Sequence, residues 1–137
     1  MTNGSLAESY LLKATKRLRI LPVLLDDEAY SDVVREAQEI VELALKGMLR
    51  QVGVEPPRWH DVGSILREHR DRLPDAVAAE VDDLAAISSD LRKDRELSFY
   101  GDIDFIPTEH YSRDDAERAL AGARRVVSVA ATVIGKR

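Results

Sequence analysis

The chain has 137 residues, the size of one ordinary domain, and we expect a single domain over residues 1–137. Its 20 Lys and Arg residues against 25 Asp and Glu residues give a net charge of −5, which excludes a global basic field for non-specific nucleic-acid binding. Cysteine is absent, which excludes disulfides and thiolate chemistry. Apolar runs are short and no signal-peptide pattern opens the chain, so we expect a soluble cytoplasmic protein without a membrane segment.

The first predicted helix opens at Ser5, and Glu8 stands three residues later, in the spacing of a capping box. Apolar residues then recur every four positions and indicate one buried face: Leu6, Tyr10, Ala14 and Leu18. Pro22 is predicted to end this helix, because proline cannot donate a backbone hydrogen bond.

The second predicted helix, from about Ala29 to Val52, is the most apolar of the long ones. Its apolar residues cover a wide arc, which favours a central position in a bundle. Gly53 is predicted to end it in a left-handed conformation. A short third helix follows in "WHDVGSILREHRDRL", where Asp61 is predicted to be the cap.

A fourth helix is predicted from about Asp75 through Leu97. After the loop "GDIDFIPTEHY", Ser112 and Asp115 form a second capping pattern. Small and apolar residues then form a seam on the last helix: Ala116, Leu120, Ala123, Val127, Ala130 and Ile134. The sequence therefore predicts an all-α, up-and-down bundle of four long helices and one short helix.

The stretch "RELSFYGD", residues 95–102, ends the fourth predicted helix. Arg95 has no carboxylate three or four positions away, so its guanidinium is available to a loop carboxylate, another subunit or an anionic ligand. Gly101 is predicted to stop the helix and to let Tyr100 turn toward Arg95 or toward a partner chain. Two interpretations stay open: a structural salt bridge to Asp102 or Asp104, and a ligand site.

Basic residues cluster at two further places. Lys13, Lys16 and Arg17 lie on the first helix, and Arg92 and Lys93 lie near the end of the fourth. Such runs are usually solvated faces, but these are the predicted contacts if the protein binds nucleic acid.

No metal site and no cofactor are expected. His60 and Asp61 are adjacent and so do not share a helix face, and neither has a third ligand at metal spacing. His69 and His110 are isolated. No glycine-rich phosphate loop is present, so common kinases and hydrolases find no support.

Four segments in this order resemble the HEPN (higher eukaryotes and prokaryotes nucleotide-binding) domain family. They are "AQEIVELALKGMLRQVGVE", "WHDVGSILRE", "LRKDRELSFYGD" and "YSRDDAERALAGARRVV". The resemblance implies a helical bundle that forms a homodimer and is found beside minimal nucleotidyltransferases. "LRKDRELSFYGD" stands where the family carries its functional motif.

In the ribonuclease members of the family, that motif is an arginine followed after four to six residues by a histidine. Arginine holds the scissile phosphate and histidine moves protons, without a metal. After Arg95 this chain has Tyr100, Gly101 and Asp102 where the histidine would fall. A free tyrosine has a pKa of about 10 and is a poor base at neutral pH, while a carboxylate beside a phosphate would repel it.

Two functions follow as expectations. The first is a HEPN-like protein without standard ribonuclease chemistry that binds nucleotide or RNA, or serves a minimal nucleotidyltransferase in a toxin–antitoxin type of system. The alternative is a metal-independent endoribonuclease in which Arg95 holds phosphate and Tyr100 or Asp102 replaces histidine. The first places Arg95 and Tyr100 near the two-fold axis of a homodimer. A third hypothesis is a plain structural bundle, in which Arg95 contributes to stability and nothing else.

Overall fold

The structure is a computed structural model that describes residues 3–56, 58, 61–93, 100–103 and 105–135. Over these ranges the chain forms α1 (Asn3–Leu18), α2 (Leu21–Asp26), α3 (Tyr30–Gln51), α4 (Val62–Glu68), α5 (Asp75–Ala78), α6 (Val81–Lys93), α7 (Pro107–His110) and α8 (Arg113–Val133), with a 3₁₀ turn at Arg70–Arg72. The predicted all-α bundle is confirmed, and its long helices are α1, α3, α6 and α8.

Helix α3 is the centre of the bundle. It packs most extensively on α1 and α8, and also contacts α2, α4, α6 and α7. The side chains of α3 with no exposed surface are Val33, Ala37, Ile40, Ala44, Leu45, Met48 and Leu49. Because these residues cover about half of the helix circumference at 100° per residue, α3 has neighbours on several sides, as the wide apolar arc predicts.

The end of α3 follows the prediction. Gly53 has a φ of +81°, in the left-handed region that glycine adopts without strain. The Val54 N–H donates to the Leu49 carbonyl at 2.9 Å and the Gly53 N–H donates to the Arg50 carbonyl at 3.1 Å. This pair of bonds satisfies the last carbonyls of the helix and turns the chain away from it.

The start of the chain corrects two predictions. Helix α1 begins at Asn3, so Ser5 lies inside its first turn and is not the N-cap. Pro22 does not end α1, which stops at Leu18; it lies in the first turn of the short helix α2. Proline fits there because the first amide groups of a helix have no helical acceptor.

The predicted cap of α4 is confirmed. The Asp61 carboxylate accepts a hydrogen bond from the Gly63 N–H at 3.1 Å. Gly63 itself is buried against α6, where an added Cβ would lie 3.0 Å from the Cα of Ala85. The glycine therefore allows α4 and α6 to approach closely.

The prediction of one continuous helix from Asp75 is wrong, because the helix is interrupted. The chain forms α5, a turn at residues 79–80, and then α6. At the turn, the Glu80 N–H donates to the Val77 carbonyl at 2.9 Å, three residues back instead of four. Val77 and Val81 remain buried on either side, so the apolar spacing does not reveal the break. The predicted end at Leu97 lies outside the described residues.

Helix α8 begins at the predicted capping box. The Asp115 N–H donates to Ser112 Oγ at 3.2 Å, and the Ser112 N–H donates to Asp115 Oδ2 at 2.9 Å. All residues of the predicted small-residue seam are buried. The short helix α7, in the loop before this cap, was not predicted. Among the described helices, none combines the length and apolar character needed to cross a membrane.

Candidate functional site

The segment after the predicted motif is a tight turn at residues 102–105. The Asp102 N–H donates to the Phe105 carbonyl and the Phe105 N–H donates to the Asp102 carbonyl, each at 2.9 Å. Asp102 Oδ1 accepts a third bond from the Ile103 N–H at 2.7 Å. The Asp102 carboxylate therefore stabilises the turn locally.

Gly101 is required at the entry to this turn. Its φ is +76°, and an added Cβ would collide with the Phe105 carbonyl oxygen and the ring of Pro107. Both the backbone conformation and the space thus exclude a side chain. The chain turns at Gly101; that a helix stops there stays a prediction, because residues 94–99 lie outside the described part.

The ring of His110 braces the other side of the turn. Its Nδ1 lies 2.8 Å from the Ile106 carbonyl oxygen and 3.1 Å from the Ile106 backbone nitrogen. The ring also stacks on Phe105 with a centroid distance of 4.5 Å, and Tyr111 meets Phe105 edge-on at 5.7 Å. His110 therefore has a structural role.

This braced turn exposes apolar side chains. Tyr100 is 76% exposed, Ile103 is 92% exposed and Ile106 is 47% exposed. Since local backbone bonds hold the turn, its exposed side chains are presented on a fixed frame. We call residues 100–106, without the undescribed residue 104, the motif turn.

The predicted site residues near the motif turn are only partly described. Arg95, like His60 and Asp104, lies outside the described residues. At the end of α6, Arg92 is half-buried and Lys93 is exposed, with its Nζ 4.0 Å from Asp90 Oδ1. Tyr100 and Asp102 are both exposed and lie on the motif turn.

The second basic group lies on a different helix. Lys13 and Lys16 are exposed on α1, whereas Arg17 places its Nε 3.0 Å from Glu36 Oε1 of α3. Helix α1 packs chiefly on α3 and α6 packs chiefly on α4. The two basic groups therefore belong to different parts of the bundle.

A groove of about 370 Å³ between α6 and α8 was not predicted from the sequence. Its floor is apolar and its rim is charged; the lining residues are Val34, Ile87, Leu91, Ala119 and Gly122, with Tyr111, Asp90, Asp115 and Arg118 around them. Gly122 is the one sequence signal, because an added Cβ there would lie 3.0 Å from Ile87 Cγ2. The groove suits an apolar group, with Arg118 beside Asp115 at the rim.

The electrostatics of this rim centre on Asp115. The backbone N–H of Ser112, followed by the Ser112 hydroxyl and the Arg118 guanidinium, holds the pKa of the Asp115 carboxyl below its usual value. Arg118 Nη2 lies 2.6 Å from Asp115 Oδ1. This carboxylate is therefore ionised at neutral pH and serves the helix cap and Arg118 at once.

Within the described ranges, no three His, Asp or Glu side chains converge in a geometry that would hold a metal ion. Asp61 acts as the cap of α4, as described above, and His69 is half-buried at the end of that helix.

The fold and the motif turn together define the class of protein. It is an all-α bundle in which an exposed turn, preceded by basic residues, joins α6 to the last long helix. A family model of the HEPN domain matches residues 7–133. Because this match covers nearly the whole chain, the protein belongs to the HEPN domain family, as the sequence resemblance indicates. No curated protein and no solved structure shows significant similarity to the chain.

Proposed function

We propose that this protein is a HEPN-type homodimer that binds RNA or nucleotide at the end of α6 and the motif turn, and that it does not cleave RNA. One observation carries the proposal. Tyr100 stands where the family motif would place histidine, it is 76% exposed, and it follows in sequence the end of α6 that carries Arg92 and Lys93.

An exposed tyrosine ring suits binding. Bases stack on aromatic side chains with about 1–3 kcal/mol per base, whatever their sequence. The cations at the end of α6 supply contacts to phosphate, which are local because the chain as a whole carries a charge of −5. Arg95, between these cations and Tyr100 in sequence, is the third proposed phosphate contact.

Cleavage is disfavoured by what stands in place of histidine. The Asp102 carboxylate accepts the Ile103 N–H and holds the motif turn, and as an anion it would repel a phosphate close to it. The chain thus keeps groups that hold nucleic acid and lacks a near-neutral proton carrier at this position.

The dimer is proposed on the same surface. Ile103 and Ile106 are exposed on a turn that backbone bonds already fix, so covering them costs little ordering entropy. A two-fold interface here would bring Tyr100 of both protomers near the axis.

A partnership with a minimal nucleotidyltransferase, in a toxin–antitoxin type of system, is proposed from family membership alone. Its test is co-expression with such an enzyme encoded beside this chain, followed by co-purification. Separate elution of the two proteins would remove this part of the proposal and leave the binding part intact.

The binding proposal is tested by fluorescence anisotropy with a labelled single-stranded RNA. We expect Tyr100→Ala to weaken binding by about five- to 150-fold, the equivalent of one lost stacking contact, and Tyr100→Phe to retain it. Arg92→Ala should weaken binding and reduce its salt dependence, while Arg124→Ala, an exposed arginine on α8, serves as the matched control. Equal affinity of wild type and Tyr100→Ala would refute the site.

The absence of cleavage is tested separately, with wild type and Arg95→Ala incubated with RNA in the presence of a chelator. We expect neither protein to cleave. Cleavage by wild type that Arg95→Ala abolishes would establish the alternative, a metal-independent endoribonuclease in which Tyr100 or Asp102 replaces histidine. Cleavage that survives the substitution would indicate a contaminating nuclease.

A further inference from the structure

A second exposed apolar surface lies far along the chain from the motif turn. Leu12 is 55% exposed, Ile20 is 46% exposed and Val23 is 66% exposed. If α1 and α2 are treated as one continuous helix at 100° per residue, these three residues fall on one side together with Lys16 and Arg19. We call these five residues the α1–α2 stripe. Ala7, Ala14 and Leu21, on the opposite side, have no exposed surface.

The stripe continues across the junction between α1 and α2. Ile20 keeps helical dihedral angles, with φ −78° and ψ −28°. The Arg19 and Ile20 N–H groups donate three residues back, to Lys16 and Arg17, and four-residue bonding resumes with the Leu24 N–H, which donates to the Ile20 carbonyl at 3.1 Å. A continuous helix with a rise of about 1.5 Å per residue would separate Leu12 from Val23 by about 16 Å, or three turns.

The charge of this surface is the reverse of that of the whole chain. Lys13, Lys16 and Arg19 are all exposed, and residues 9–25 contain no Asp or Glu. Arg17 is set apart because it pairs with Glu36 of α3. A chain of net charge −5 thus carries one face of three cations interleaved with three exposed aliphatic side chains.

The aliphatic side chains argue against RNA as the occupant. Leu, Ile and Val neither stack on bases nor bond to phosphate, and binding RNA here would leave them against a polar backbone. The sequence alone places Lys13 and Lys16 among nucleic-acid contacts; the exposure of Leu12, Ile20 and Val23 between the cations changes that interpretation.

Four carboxylates argue against a membrane surface. Asp26, Asp27 and Glu28 are all exposed and directly follow the stripe, and Glu8 is exposed before it. An anionic bilayer is a wide plane that would meet these carboxylates as well as the cations. A narrow occupant of about three turns would contact the stripe and end before them.

We propose that the α1–α2 stripe docks an acidic amphipathic helix of a partner protein. Apolar anchors of that helix, at spacings of three and four residues, cover Leu12, Ile20 and Val23, and its flanking carboxylates pair with Lys13, Lys16 and Arg19. The proposal does not depend on RNA binding at the motif turn, since it concerns another helix and another kind of partner.

Such a surface is small, and this sets the expected behaviour of the complex. A contact three turns long belongs with weak, transient interfaces, for which micromolar affinity is ordinary. Because its ionic pairs lie at the exposed rim, binding should weaken as salt is raised.

The experiment uses the full chain and two synthetic helical peptides. Both carry leucines at positions i, i+4, i+7 and i+11; one has glutamates beside them and the other has lysines at the same positions. Binding is measured by fluorescence anisotropy at low and high salt. We expect the acidic peptide to bind at least about tenfold more tightly than the basic one and to lose affinity with salt.

Paired substitutions locate the binding. Val23→Ser together with Arg19→Glu should weaken binding of the acidic peptide by at least about tenfold. The matched control is Ala131→Ser with Arg124→Glu, which changes an exposed apolar residue and an exposed arginine of α8 and should leave binding unchanged. Circular dichroism confirms that both variants are folded.

Four results would overturn the proposal. The first two are equal binding of the two peptides and no saturable binding of the acidic peptide up to about 1 mM. The third is weaker binding of the acidic peptide in the control variant alone. The fourth is tight binding of phosphatidylserine vesicles or RNA that the stripe variant abolishes. Loss of RNA binding by Tyr100→Ala would not affect any of these results, so the two proposals fail independently.

Discussion

The packing of α3 on α8 and the motif turn both contain apolar residues, but they hold them in opposite ways. Ile40 and Leu45 of α3 have no exposed surface, whereas Ile103 of the motif turn is 92% exposed. The first region is held by side-chain packing between helices, and the second by backbone hydrogen bonds within a few residues. We therefore expect the stability of this protein to depend mainly on the helix contacts and much less on the exposed side chains of the motif turn.

The largest expected effect is on the helix contacts. Leu45→Ala removes a side chain with no exposed surface from the centre of the bundle and should lower the free energy of unfolding by about 2–5 kcal/mol. Ile103→Ala, with the same kind of truncation at an exposed site, should change it by less than about 0.5 kcal/mol. Chemical denaturation measures both; similar losses for the two variants would contradict the comparison.

The helix contacts are also the part that the sequence predicts well. Apolar spacing identifies α3 and α8 and their buried faces, since a periodic pattern repeats the same information over several turns. The caps at Asp61 and Ser112 were predicted for a similar reason: each depends on a side chain and an amide two or three residues away.

Two breaks between helices were predicted wrongly, although the end of α3 at Gly53 was predicted correctly. At the turn of residues 79–80, one backbone hydrogen bond spans three residues instead of four. The apolar spacing stays intact across the turn, so no periodic signal marks it. Pro22 was read as a helix end, although the same lack of an amide proton also suits the first turn of a helix.

The sequence predicts which residues form the candidate site better than it predicts how they are arranged. The sequence singles out Tyr100, Gly101 and Asp102, but the exposure of Ile103 depends on how the turn is braced by Phe105 and His110. The groove between α6 and α8 depends on the distance between two helices, which no local pattern records. The role of Arg95 stays a prediction.

The next effect concerns two glycines in the same left-handed region, with φ +81° at Gly53 and +76° at Gly101. Gly53→Ala meets only Arg72 Nη1 at 3.8 Å, so it should cost about 1 kcal/mol for the backbone conformation alone. Gly101→Ala adds a collision with the Phe105 carbonyl and should open the turn.

Two measurements separate these outcomes. Hydrogen exchange at the amides of Asp102 and Phe105 should become faster in Gly101→Ala and stay unchanged in Gly53→Ala. Denaturation should show a lower free energy of unfolding for Gly53→Ala, because Gly53 ends the central helix. Protection of the two turn amides in Gly101→Ala would show that side-chain packing, and not the turn bonds, fixes this region.

A smaller effect depends on pH and concerns Asp115, whose pKa is lowered by the Ser112 N–H and then by the Ser112 hydroxyl and Arg118. A carboxyl with a lowered pKa in the folded state stabilises the fold above its unfolded pKa, about 3.9, and loses that contribution as pH falls through the folded value. Asp115→Asn should therefore be less stable than wild type at pH 7, and the difference should shrink as pH falls below about 3.9 and through the lower folded-state pKa.

Thermal unfolding of both proteins across this range gives the test. The difference in melting temperature between wild type and Asp115→Asn should shrink steadily on acidification. A constant difference would mean that the shape of the cap matters and its charge does not. Asp114→Asn, the exposed neighbour in the same turn, is the matched control.

The smallest expected effect concerns exposed ion pairs that lie outside both the core and the motif turn. Arg67 Nε and Arg70 Nη2 lie 3.1 Å and 2.6 Å from Asp82 Oδ1, which joins α4 and the 3₁₀ turn to α6. The hydrogen bonds from Arg70 and then Arg67 lower the pKa of Asp82, yet its side chain is 66% exposed and open to screening by salt. Asp82→Asn should lower the melting temperature slightly at low salt and not at high salt, with Asp71→Asn as the control. A loss that persisted at high salt would place the contacts of Asp82 with Arg67 and Arg70 among the packed contacts of the bundle. A loss that vanished at high salt would show that exposed ion pairs, like the other surface groups, contribute little stability compared with buried side-chain packing.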